Sequence, residues 1–140
     1  MTGPITLYQF PISHFCEKAR WVLDYKGLAY QSKNLLPGFH IKSVKKVAAK
    51  SSVPILLIDG EAIQGSPEII DYPDQHRSGP SLTPENPAHA AEAMDWERLA
   101  DSAVGPQVRM LCYDVVLEYP AAVISRMTQG VHGMAVFYSS

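Results

Sequence analysis

Cysteine is scarce in this chain: Cys16 and Cys112 are the only two among 140 residues. They lie far apart and make no metal-ligand spacing, so no metal site is expected and a reduced, cytosolic protein is. Long apolar runs are missing too. No stretch approaches the roughly 18 uninterrupted apolar residues of a membrane span, and the start, Met-Thr-Gly-Pro-Ile-Thr, has no basic segment leading into an apolar one. Neither a membrane partner nor a secretory signal is therefore expected. Positive charge is not in excess: 12 Lys+Arg stand against 14 Asp+Glu, a net charge of -2 with a pI near 6.2. That balance argues against a nucleic-acid partner bound through a basic surface, which needs clustered cations to neutralise phosphates.

What is present is enough to fold. With 46% apolar and 19% charged residues, the chain is too hydrophobic to be disordered and can bury a core. Its charge is unevenly shared: residues 1–77 carry 9 basic and 7 acidic side chains (net +2), and residues 78–140 carry 3 and 7 (net -4). The split suggests two units.

Periodicity supplies the elements. Ile5-Thr6-Leu7-Tyr8 reads as a strand ended by Pro11. Phe15, Ala19, Val22 and Leu23 then fall at helical spacing, with Ser13 as N-cap and Gly27 as the stop. A second strand is expected over 28–36. A short helix is expected over 40–50, with Lys42, Lys45, Lys46 and Lys50 mostly on its outer side. Val53 to Ile63 reads as two strands around an Asp59-Gly60 turn. A further helix follows, capped by Ser66, with Pro67 at its first position and Glu68 in its first turn. Pro73 should kink or end that helix near Tyr72, because an interior proline costs about 3 kcal/mol. Residues 78–87 hold three prolines and a glycine and read as a linker. Beyond them Ala88, Ala91, Trp96 and Ala100, and then Val108, Leu111, Cys112 and Val115, sit near helical spacing, with a kink or break expected at Pro106.

Four local features give the pattern a family likeness: Ser13-His14-Phe15-Cys16 at the first helix, Val53-Pro54 before the third strand, Gly65-Ser66-Pro67-Glu68-Ile69-Ile70 at the third helix, and the Pro-rich linker into helices. In that order the chain resembles a glutathione transferase. The resemblance implies an α/β thioredoxin-like N-terminal domain (βαβα-ββα) over residues 1–78, a linker over 79–87 and a partial all-α domain over 88–140.

It also implies residue roles. Ser13, at the positive end of a helix, would donate to the sulfur of bound glutathione and favour its thiolate. Cys16 is the rival, because Ser-His-Phe-Cys is similar to a glutaredoxin Cys-x-x-Cys whose first cysteine is replaced. Tyr8 is a third candidate, but its place in the strand turns it to the other face, where packing is expected. Val53, ahead of a cis-Pro54, would pair with the cysteinyl backbone of glutathione. Ser66 and the helix N-terminus would hold the γ-glutamyl carboxylate, with Gly65 where relatives carry Glu or Gln and Gln64 displaced by one. His40 and Lys50 are further glutathione ligands, and the lysine face is either solvated or steers the anionic peptide. His14, His76, His89 and His132 suggest no metal site.

The resemblance makes glutathione the co-substrate, a small electrophile its partner in reaction, and a homodimer the assembly. Two other readings stay open: glutathione-linked thiol-disulfide exchange through Cys16, and a non-catalytic glutathione- or protein-binding module. The chain resembles a truncated transferase, and residues 131–140 match nothing expected of the family. Apolar faces on the 88–118 helices would then need a partner.

Overall fold

Strict alternation organises the first layer. In the computed structural model, which describes residues 3–128, β1 (Ile5–Gln9) turns Ile5 and Leu7 to one side and Tyr8 to the other. The same alternation puts Leu56 and Ile58 of β3 (Ile55–Ile58) with the first pair, and Ile55 with Tyr8. β1 pairs parallel with β2 (Tyr30–Asn34) and antiparallel with β3, with Leu7 opposite Leu56 and Tyr8 opposite Ile55. β3 pairs antiparallel with β4 (Glu61–Gln64), which gives the order β2-β1-β3-β4. Asp59 and Gly60 both take positive φ, 54° and 83°, as the expected tight turn requires.

Each face of the sheet is covered. On one side, α1 (His14–Tyr25) and α3 (Ser66–His76) bring Ala19, Leu23 and Ile69 against Ile5, Leu7, Leu56 and Ile58. The fully buried leucines and isoleucines of this cluster each contribute about 1.5–3 kcal/mol of burial. On the other side Val44 closes over Tyr8, Leu35 and Ile55. This is the thioredoxin-like sheet with its helices, followed by a helical region.

α1 begins as expected, with Ser13 as its N-cap, and ends at Gly27, whose φ is 66°. Other expectations need correction. The second strand covers only Tyr30–Asn34. The helix expected over 40–50 shrinks to a single turn, α2 (Ile41–Val44). Lys42, Lys45 and Lys46 would stand three and four residues apart on a longer helix, where like charges repel, and β-branched Ile41, Val44 and Val47 add little propensity. Ser66 is not the cap of α3: Gly65, at φ 117°, takes that place and Ser66 opens the helix. Pro73 does not end α3, which runs on to His76. Its ring is fully buried, and packing offsets the lost hydrogen bond, while the Arg77 N–H bonds to the Pro73 carbonyl at 3.0 Å.

α3 is tied to the linker through Asp74. Its carboxylate accepts from the Leu82 and Thr83 N–H groups, both at 2.8 Å, and from Lys26 Nζ of the α1 C-terminus at 3.1 Å. Asn86 then caps α4 (Pro87–Leu99) by accepting from the Ala88 and His89 N–H groups. Just before Pro106 the α-helix is interrupted, as expected. A π-helical turn over Ala100–Val104 leads into α5 (Gly105–Glu118), and the Gly105 N–H reaches back to the Ala100 carbonyl. That wider turn accommodates the proline without a chain break. Tyr119 precedes Pro120 and leaves the helical region, separating α5 from α6 (Pro120–Thr128). The tail expected to be distinctive, with His132, lies outside the described residues.

Candidate active site

The loop between β1 and α1 forms one wall of a cleft. Arg20 fixes this loop, donating from Nη2 to the Pro11 carbonyl at 3.2 Å and bonding Gln9 and Glu17 besides. Ser13 follows, and its Oγ accepts from the Cys16 N–H at 3.4 Å. That bond uses a lone pair and leaves the hydroxyl proton free, since among the described residues it reaches no acceptor. The hydroxyl stands at the first turn of α1, where unpaired N–H groups concentrate positive potential.

The cleft has a volume of about 240 Å³. Phe10, Ile12, Ser13 and Phe15 line one side, and Ser52 and Val53 lie beside them. The Val53-Pro54 bond is cis, as the resemblance implies, and Pro54 is buried. The opposite wall is α5, which contributes Arg109, Cys112, Tyr113 and Val116, and Met127 of α6 completes it. These α5 positions follow i, i+3, i+4, i+7, a single helical face.

Cys16 is not at the cleft surface. It is fully buried, and its sulfur accepts from the Phe10 N–H at 3.4 Å. Burial pushes its thiol up, against the hydrogen bonds from Phe10 and Ser13 and the charge of Arg20. Tyr8 is also buried, packed on the α2 side with Lys33 Nζ 4.8 Å from its ring centre.

The remaining candidates form a second group. The Gly65 N–H donates to the Pro54 carbonyl at 3.1 Å, joining the start of α3 to the cis-proline turn. Gln64 holds the preceding loop, receiving the Lys50 N–H at 3.1 Å and donating to the Lys50 and Ser52 carbonyls at 2.8 Å. Lys50 therefore enters the site region through its backbone. His40 Nε2 lies 2.9 Å from the Ser51 carbonyl, and its ring meets Phe10 edge-on. Ser66 Oγ donates to Asp101 Oδ2 at 3.3 Å, and Lys18 Nζ bridges Asp101 and Glu97 at 2.8 and 2.7 Å. Glu68 folds back over Gly65, where a Cβ would lie 2.2 Å from its Oε2. Among the described residues no group of His, Cys, Asp or Glu could hold a metal ion.

Sequence reasoning missed Asp101, Lys18 and the α5 face. The apolar spacing at Val108, Leu111, Cys112 and Val115 obscured that face, because Leu111 and Val115 are 67% and 57% exposed and the inward face lies one residue on.

Comparison with known proteins agrees with this geometry. Residues 7–81 match the family model described as glutathione S-transferase, N-terminal domain. A probable glutathione S-transferase of Nicotiana tabacum is 28% identical over 112 residues, which cover 74% of this chain and 47% of that protein. A Tau class glutathione S-transferase from mango, Mangifera indica, superposes with a TM-score of 0.69 at 26% identity, covering 76% of this chain and 49% of that one. A glutathione transferase homolog from Burkholderia with bound glutathione gives 0.63 at 25% identity, covering 71% and 55%. This chain belongs to the glutathione S-transferase family. It spans about half the length of the curated relatives it matches.

Proposed function

We propose that the chain binds reduced glutathione and activates its thiol through Ser13 for conjugation to a small electrophile. The observation that carries this reading is the serine hydroxyl, with its proton free, at the first turn of α1 and in the same cleft as Val53. In this reading the Val53 backbone pairs with the cysteinyl part of glutathione. On binding, the Ser66 hydroxyl turns from Asp101 and, with the α3 N-terminus, receives the γ-glutamyl carboxylate. The Asp101 carboxylate, one hydrogen bond from Ser66, faces the γ-glutamyl ammonium. His40 and Lys50 are the proposed ligands of the glycyl end, and a homodimer in the reducing cytoplasm is the proposed assembly.

The energetics suffice. A hydrogen bond to a charged acceptor adds about 1.5–3 kcal/mol, and a helix N-terminus about 0.3–2. At about 1.4 kcal/mol per pKa unit, the two together lower a thiol by at least about one unit and populate thiolate at neutral pH. The burial of Cys16 weighs against thiol exchange through that residue, since a buried neutral thiol attacks poorly.

Calorimetric titration of glutathione, with the ultraviolet absorbance of its thiolate followed against pH, tests the reading. Bound glutathione should titrate at least about one unit below its free value. Ser13→Ala should remove that depression and lower turnover at neutral pH about 10-fold or more, while changing glutathione affinity less than about 3-fold. An unchanged thiol titration in the variant refutes the role of Ser13. Absence of glutathione binding refutes the whole reading and favours a protein-binding module.

A further inference from the structure

The wall contributed by α5 carries a charge that the rest of the cleft does not answer. Among the described residues Arg109 is the only Lys, Arg, Asp or Glu lining the cleft, and it has no ion-pair partner there. Around it the surface is mostly apolar and aromatic, with Phe10, His14, Phe15 and Tyr113 as the rings and Ser13 and Ser52 as the hydroxyls. The surroundings make this cation stand out, because residues 78–140 carry a net charge of -4. An anionic electrophile approaching the helical side, beside a glutathione thiolate, would be repelled unless a local cation reversed the field. Arg109 supplies that cation on the face that lines the cleft.

Size narrows the class further. At about 240 Å³ the cleft falls below the roughly 300–1,000 Å³ of sites for drug-sized ligands, and part of it receives the glutathione thiol. A single substituted ring fits, stacked on the aromatic lining. We propose that Arg109 makes the cleft selective for a small aryl electrophile bearing a carboxylate over its neutral analogue. The proposal rests on the glutathione reading above. In the reaction, the thiol proton passes to water and the thiolate sulfur attacks the ring carbon that carries a halide. The C–S bond forms, and the halide leaves with the electron pair of the broken carbon–halogen bond.

The test compares 4-chloro-3-nitrobenzoate with 4-chloro-3-nitrobenzamide, which share a reacting centre and differ in charge. The quantity read is the ratio of their kcat/KM values, each corrected for the uncatalysed reaction. The wild-type chain should favour the benzoate about 10-fold, and Arg109→Gln should abolish the preference, as loss of one charged hydrogen bond requires. Arg109→Lys should keep part of it, and added salt should weaken it. A ratio unchanged by Arg109→Gln overturns the proposal.

The finished conjugates, S-(4-carboxy-2-nitrophenyl)glutathione and its carboxamide, give a second readout by calorimetry that needs no turnover. The carboxylate conjugate should bind about 10-fold tighter, an advantage lost in Arg109→Gln. Equal affinities overturn the proposal even where glutathione itself binds. Failure of glutathione to bind at all instead removes the reading on which the proposal stands.

Discussion

At the scale of single residues, Ser13 and Cys16 share one turn of helix and one hydrogen bond, yet they face different surroundings. Cys16 is fully sealed in the core with its thiol pushed up, whereas Cys112 is exposed on α5 at the cleft. An alkylating reagent at neutral pH should therefore modify Cys112 at least about 100-fold faster than Cys16, because Cys112 is accessible while burial both shields the Cys16 thiol and pushes it up. Peptide mass spectrometry of the time course checks this, and comparable rates would contradict the burial of Cys16. The helix-capping chemistry of Ser13 was legible in the sequence, since Ser before an apolar helical pattern is a local signal. The misassignment at Ser66 has a local cause as well. Ser-Pro normally marks a cap, but Gly65 adopts φ 117° and takes the position, leaving the Ser66 hydroxyl for Asp101. Asp101 was illegible because its partners, Lys18 and Ser66, are 83 and 35 residues away.

At the scale of elements, one carboxylate joins three segments. Asp74 of α3 holds Lys26 from the end of α1 and two linker N–H groups, with the Asp74 and Lys26 side chains 8% and 1% exposed. Burial alone would push the Asp74 carboxyl up, but the Leu82 and Thr83 N–H groups and the Lys26 ammonium outweigh it and hold it well below the usual carboxylate range. Asp74→Ala leaves a buried ammonium unpaired and should cost about 3–5 kcal/mol in denaturant unfolding. A lowered folded pKa means that the contribution is complete above the unfolded aspartate value of about 3.9 and is lost as pH falls below it. The wild-type thermal midpoint should therefore drop more steeply than that of Asp74→Asn below about pH 4; parallel curves would refute the assignment.

The strands and α1 were readable because period and caps agree. The helix expected over 40–50 was not, because an apolar spacing outweighed the repulsion within its lysine run. Both prolines are accommodated in ways that local propensity, which sees only the missing N–H, does not register: the Pro73 ring is buried, and a π turn precedes Pro106.

At the scale of the whole molecule, the two halves differ in how they are covered. The sheet is packed on both faces, while none of the α4 residues is buried, and Trp96 and Leu99 are 65% and 48% exposed. Large apolar side chains left open in this way favour association. The proposed homodimer predicts a sedimenting species of twice 15.4 kDa, converted to monomer by Trp96→Glu combined with Leu99→Glu. A wild-type chain that sediments as a monomer across the micromolar range would rule that assembly out.

The halves meet where α5 begins. Gly105 is buried there, and a Cβ on it would lie 2.7 Å from Phe15 Cζ and 3.3 Å from the Ala100 carbonyl. A hydrogen atom, in place of a methyl group, thus acts as the spacer between the helix that bears Ser13 and the helix that bears Arg109. The bore of the cleft is gauged at a position that is not among the residues lining it, so the distance between its α1 and α5 walls can be retuned by a side chain outside the cleft.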